Sequence, residues 1–193
     1  MIHPIEQESY EILRSRRRLD HLSPLVRAVT ERAIHATADL DYAESLHAKE
    51  NDLAVAVAAL RSECPVITDV AMTGAGIANY PTRCYLSSGS AREGRTRSAD
   101  AMAQAIAAHP AGAIFVVGCA PTALYELVEQ YLGGAVSPIL IVGMPVGFVG
   151  AADSKERLAA SGAPAVYNRG EKGGSAAAAG VVNALIRLAK EPL

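Results

Sequence analysis

AIFVVGCAPTALYELVEQYLGGAVSPILIVG, residues 113–143, decides the fold. Its two ends, AIFVVG (113–118) and PILIVG (138–143), are short apolar runs rich in β-branched residues and bounded by Pro or Gly. Such runs suit strands buried on both faces. The segment between them, about 120–132, reads as a helix opened by Pro121 and Thr122, since proline's missing N–H costs nothing in a first turn. A strand, a helix and a second strand in that order predict parallel pairing and an α/β fold.

Working outward, PVITDV (65–70) is a third run of the same kind, and TRCYL (82–86) and APAVYN (163–168) are weaker strand candidates. Helical segments at about 96–108, 153–161 and 174–189 fill the gaps. The expectation is a mainly parallel sheet of about five strands. Residues 1–62 read as helical instead. Residues 4–17 carry a rough apolar stripe of Ile5, Tyr10, Ile12 and Leu13. Ser23 as cap and Pro24 in the first turn start a second helix, whose apolar face of Leu25, Val26, Val29, Ala33 and Ile34 runs up to His35. Asn51 or Asp52 would cap a third over 51–62. Residues 1–193 are expected to form a single domain with this helical N-terminal part.

The chain has 193 residues, half of them hydrophobic, and a formal net charge of −2. That is enough apolar material for a core and excludes a largely disordered chain. The charge balance argues against general nucleic-acid binding. Cys64, Cys84 and Cys119 are odd in number and form no CxxC pair, so no disulfide framework or structural zinc is expected, and a reducing cytoplasm is the simplest location. No apolar run is long enough to span a bilayer, and the polar, acid-bearing N-terminus lacks the apolar core of a secretory signal.

In a parallel α/β sheet, ligands sit beyond the carboxyl ends of the strands, so the strand-to-helix loops are where chemistry is sought. GMPVGFVGAADSKE (143–156) has Gly143, Gly147 and Gly150, which suggest either close backbone approach to a ligand or a tight turn, and Asp153 or Ser154 as the next cap. NRGEKGGS (168–175) places Gly173, Gly174 and Ser175 at a helix start, a ready site for carboxylate or phosphate, with Arg169 and Lys172 adding positive charge. In TDVAMTGAGI (68–77), Asp69 could orient a ligand or a histidine, or serve as a helix cap. Thr122 could offer a hydroxyl. Neither a dinucleotide fingerprint nor a P-loop is present, which argues against a nucleotide-dependent enzyme. The five histidines form no metal spacing, and His35 with Asp39 and Asp41 is a weak ligand set. Arg14, Arg16, Arg17 and Arg18 close the first helix, and Arg92, Arg95 and Arg97 precede another. Local basic clusters on a near-neutral chain fit an anionic small molecule.

ESYEILR (8–14), AIHATADLDYAESL (33–46), PVITDVAM (65–72), TRSA (96–99), GCAPTAL (118–124), GMPVGFVGAADSKE (143–156) and RGEKGGSAAAAGVVNAL (169–185) occur in this order over nearly the whole chain. Together they resemble the precorrin-8X (cobalt-precorrin-8) methylmutase family. The resemblance implies a three-layer α/β/α fold, a homodimer with a tetrapyrrole bound near the interface, and an isomerase of vitamin B12 synthesis. The implied reaction is a 1,5-sigmatropic methyl shift from C-11 to C-12 that yields hydrogenobyrinate, or cobyrinate when cobalt is present, with no cofactor. By motif, the catalytic histidine maps to His35 as proton donor, and the conserved arginine to Arg97. Asp69, Thr122, Gly147, Phe148 and Gly150 are implied as lining residues. Arg14, Gly173, Gly174 and Ser175 are implied to meet the acidic side chains of the substrate. GCAPTAL carries Cys119 where most members have Asn. A non-catalytic corrinoid carrier of the same family is the alternative.

Overall fold

A computed structural model describes residues 3–86 and 91–190. Four parallel strands form the middle: β2 (Val66–Thr68), β4 (Ile114–Val117), β5 (Leu140–Gly143) and β6 (Ala165–Asn168). The full order is β1-β6-β5-β4-β2-β3, with β3 (Thr82–Cys84) parallel at one edge and β1 (Leu46–Ala48) antiparallel at the other. β1 is an addition to the expected set. It pairs Leu46 with Asn168 and Ala48 with Val166, and its three residues are too few to show a period of two.

Side-chain alternation along the central strands builds two cores, because successive residues of a strand face opposite ways. Val66, Ile114, Val116, Leu140 and Val142 enter one core, with Val29, Ile34, Leu53, Val181 and Leu185 of the helices α2 (Pro24–Thr37), α4 (Glu50–Arg61) and α9 (Ser175–Lys190). Ile67, Phe115, Val117 and Ile141 enter the other, with Met102, Ile106, Leu124, Leu127 and Leu158 of α6 (Arg97–Ala108), α7 (Pro121–Leu132) and α8 (Ala151–Ser161). The result is a three-layer α/β/α sandwich. α1 (Pro4–Arg16) packs outside α2, and α2 packs on α9, where Gly180 lets the helices close: a Cβ there would lie 3.1 Å from Arg32 O and from Ala36 Cβ. Among the described residues, no helix is long and apolar enough to cross a membrane.

Helix starts depart from local expectation where a distant group takes over. Ser23 makes no side-chain cap bond to α2. Its hydroxyl donates instead to Glu50 (2.6 Å), whose carboxylate accepts from the N–H groups of Leu25 and Val26 (3.0 and 3.2 Å). α4 begins at Glu50, with Lys49 at the cap position rather than Asn51 or Asp52. α8 begins at Ala151 with Gly150 at the cap in the left-handed region (φ 77°), so Asp153 and Ser154 lie inside its first turn. Two short helices, α3 (Tyr42–Ser45) and α5 (Ala71–Ala75), occupy stretches with no strong periodicity.

Candidate functional site

The crossovers reverse at the centre of the sheet. β2 leads to β3 through α5, which packs on α9, whereas β4 leads to β5 and β6 through α7 and α8 on the other face. Such a switch point leaves a crevice at the strands' carboxyl ends. Here Asp69, directly after β2, spans it. One carboxylate oxygen accepts from Val70 N–H, the Thr73 hydroxyl and Gly118 N–H (2.9, 3.0 and 3.1 Å). The other accepts from Cys119 and Ala120 N–H (both 2.8 Å). Asp69 is 3% exposed, so this carboxylate is spent internally on the β4–α7 loop. Thr73 has one proton and gives it to Asp69; the Ser175 hydroxyl, 2.9 Å away, therefore donates to Thr73. Asp69, Thr73 and Ser175 thus tie three strand-end loops together.

The glycine loops close on each other beside this hub. Gly174 N–H donates to Met144 O (2.8 Å) and Gly147 N–H to Glu171 O (3.1 Å). Gly173 (φ 158°) passes so near that a Cβ would lie 2.3 Å from Met144 O and 2.5 Å from Pro145 O. Beyond them the chain turns outward: Phe148 is 91% and Val149 89% exposed.

His35 sits apart from the hub, on the last turn of α2. Its Nδ1 shares a 2.8 Å hydrogen bond with the Ser9 hydroxyl of α1, and Tyr10 stacks on its ring (centroids 5.0 Å, planes 15° apart). Burial first, and the Arg32 guanidinium second, push the His35 imidazole below its usual value, with Glu6 opposing them. Arg32 is itself paired to Glu6 (2.7 Å). Arg14 lies over Tyr10 (5.6 Å) and forks onto buried Glu31 (2.9 and 2.8 Å), which also accepts from Arg27 (2.9 Å). Burial raises the Glu31 carboxyl, but the bonds from Arg14 and Arg27 outweigh it and hold the group below the ordinary range. Asp39 and Asp41, after α2, are both taken by Lys172 (2.8 and 2.5 Å), so they serve as a latch between the 168–175 loop and the end of α2. Among the described residues, no group of three potential metal ligands occurs.

Arg97 opens α6 on the opposite layer from His35. It is exposed and forms no ion pair among the described residues. Beside it Thr96 caps the helix, accepting from Ala99 N–H (3.2 Å), and shares a 2.7 Å bond with Thr122. Thr122 therefore steadies the Arg97 turn with its hydroxyl. Gly150 lies near, its Cβ direction meeting Tyr125 and Pro121 of α7.

The residues expected from sequence thus fall into three groups: His35 with Arg14 on the outer helices, Asp69 with Ser175 and the paired glycine loops at the sheet centre, and Arg97 with Thr122 and Gly150 on the other layer. Ser9 and Tyr10 were not expected. Tyr10 reads in sequence as one more member of an apolar stripe, and Ser9 meets His35 only through a contact 26 residues distant. A groove of about 930 Å³ runs along α1, α2 and α9. Tyr10 forms part of its wall with His35 stacked on that ring, while His35 itself is not in the lining.

Fold and site define a three-layer α/β protein with an oriented, half-buried imidazole on its outer helices. Comparison with known proteins takes this one step further. The chain belongs to the precorrin-8X methylmutase family, a family of isomerases in the B12 pathway, whose model matches residues 4–188. It is 38% identical to the cobalt-precorrin-8 methylmutase of Methanothermobacter thermautotrophicus, over 95% of each chain. It is 43% identical to that of Salmonella typhimurium, over 85% of this chain and 82% of the relative. The crystal structure of precorrin-8x methyl mutase from Thermus thermophilus superposes with a TM-score of 0.86 at 32% identity, covering 96% of this chain and 95% of that one.

Proposed function

We propose that this isomerase moves a methyl group from C-11 to C-12 of a tetrapyrrole, turning precorrin-8X into hydrogenobyrinate or cobalt-precorrin-8 into cobyrinate, with His35 as proton donor to the ring. The observation that carries the reading is the Ser9–His35–Tyr10 arrangement in a chain of this family. In the imidazolium, both ring nitrogens donate. Ser9 takes the Nδ1 proton, the Tyr10 stack fixes the plane, and Nε2–H is left to protonate a ring nitrogen. The shift itself is intramolecular, so the protein's task is to hold one tautomer and one orientation. Arg97, at a helix start and without an ion pair among the described residues, suits an acidic side chain of the macrocycle.

A second copy of the chain completes this site in the reading proposed. His35 and Arg97 lie on opposite layers of the sandwich, and the exposed Phe148 and Val149 lie on the loop after β5. A homodimer that covers this loop would bring helices of both layers to one ring in the cytoplasm. Two experiments test the reading. Absorbance titration with hydrogenobyrinate should show saturable binding at one ring per subunit, lost in Arg97→Ala. Light scattering should give a dimer, and Phe148→Glu should yield monomer with binding lost. A monomeric wild type with full turnover sinks the shared site.

A further inference from the structure

Three arginines lead into α6, Arg92, Arg95 and Arg97, and their surroundings differ. Arg95 is the engaged one. Its Nε lies 2.7 Å from Asp100 Oδ1, in the first turn of α6, and its Nη2 lies 2.6 Å from Glu126 Oε2 on α7. The same Nη2 donates to Ala99 O (3.5 Å). Asp100 is 3% exposed. Its Oδ2 accepts from Arg92 N–H (2.5 Å), while its Oδ1 accepts no hydrogen bond among the described residues. The contact of Arg95 with Oδ1 is therefore one of charge, and that oxygen keeps its lone pairs. Glu126 has its other oxygen taken by Gln130 (2.6 Å).

Arg97 stands three residues before Asp100, and residues so spaced are neighbours on a helix surface. A guanidinium next to a buried carboxylate with lone pairs to spare should pair with it. Yet Arg97 is exposed and forms no ion pair among the described residues. Arg95 accounts for this, because it neutralises Asp100 and spans to Glu126 as well. Glu93, in the same loop, is exposed, where an ion pair is worth little. We propose that Arg95 is a positioning residue for substrate binding: it occupies Asp100 and Glu126 and so leaves Arg97 free to take a carboxylate of the ring. The proposal rests on the binding role given to Arg97 above. The planar fork of an arginine suits two acids at once, which the point charge of a lysine does not.

Arg95→Ala, Asp100→Asn and the two combined test it. In Arg95→Ala, Arg97 should turn to Asp100, and its Nε–H resonance should become protected from exchange with water. Hydrogenobyrinate should then bind about tenfold more weakly, the value of one charge-assisted bond. With precorrin-8X, KM should rise and kcat should stay nearly unchanged, as for an interaction made equally in ground and transition states. Adding Asp100→Asn removes the rival acid, so Arg97 should exchange freely again and most of the ring affinity should return. A loop held only as structure responds the other way, since each further tie removed loosens it more. Asp100→Asn alone keeps an acceptor for Arg92 N–H and should bind the ring as wild type does, which covers the case in which Arg95→Ala does not fold. Unchanged binding in Arg95→Ala, a double variant no better than the single, or weakened binding in Asp100→Asn would overturn the assignment. If wild type binds no ring but Arg97 is protected in Arg95→Ala alone, the function proposed above fails while the charge role of Arg95 stands.

Discussion

The Asp69 hub and the His35 shelf differ in how much bonding capacity they leave unused. At the hub, five donors fill one carboxylate and Ser175 spends its proton on Thr73. On the shelf, His35 has one nitrogen engaged by Ser9 and the other without a hydrogen-bond partner among the described residues. A saturated group fixes geometry; a group with a free donor can meet a substrate. Damage to the first should therefore appear as lost stability, and damage to the second as lost turnover.

Asp69→Ala tests the hub most severely. It strands the buried Gly118 N–H and the part-buried N–H groups of Cys119 and Ala120, so a loss of about 4 kcal/mol is expected. In calorimetry that should read as a Tm drop of about 10 °C. A small drop with abolished ring binding would make Asp69 a ligand contact instead. Gly173→Ala comes next, at about 3 kcal/mol, because its Cβ would press on the Met144 and Pro145 carbonyls, which a backbone cannot easily yield. Urea midpoints would measure it.

The shelf predicts the opposite signature. Ser9→Ala should lower kcat about tenfold, the worth of one hydrogen bond, with KM and Tm nearly unchanged. An equal rise in KM would point to binding rather than orientation. The smallest effect is on pH. Donation requires the imidazolium, and burial with Arg32 lowers its pKa in the free protein, so kcat/KM should fall as pH rises through a value below 6.5. Arg32→Gln removes one depressing charge and one of the two cations paired with Glu6, so the pKa rises and the limb should move upward. An unmoved limb would detach it from His35.

This contrast also explains what the sequence made legible. Residues 113–143 reveal the sandwich because burial on both faces and the intervening helix are written locally. β1 stays hidden because Leu46–Ala48 gains its strand character only from pairing with β6. Asp69 reads equally as ligand group or cap, and its saturation by loop N–H groups 49 to 51 residues away is a tertiary fact. His35 stands out through the family motif, while Ser9 depends on α1 crossing α2. Lys155 looks like a surface lysine beside Asp153 and Glu156, and only packing shows it buried.

In the function proposed, the shelf performs the chemistry and the hub holds it in place. Conversion of excess precorrin-8X, followed by the appearance of hydrogenobyrinate absorbance, should be compared in wild type and His35→Ala. Each wild-type subunit should complete many turnovers, and the variant should still fold and bind the ring but turn over roughly a hundred- to ten-thousandfold more slowly. Wild-type rates in His35→Ala, or no more than one product per wild-type subunit, would contradict it.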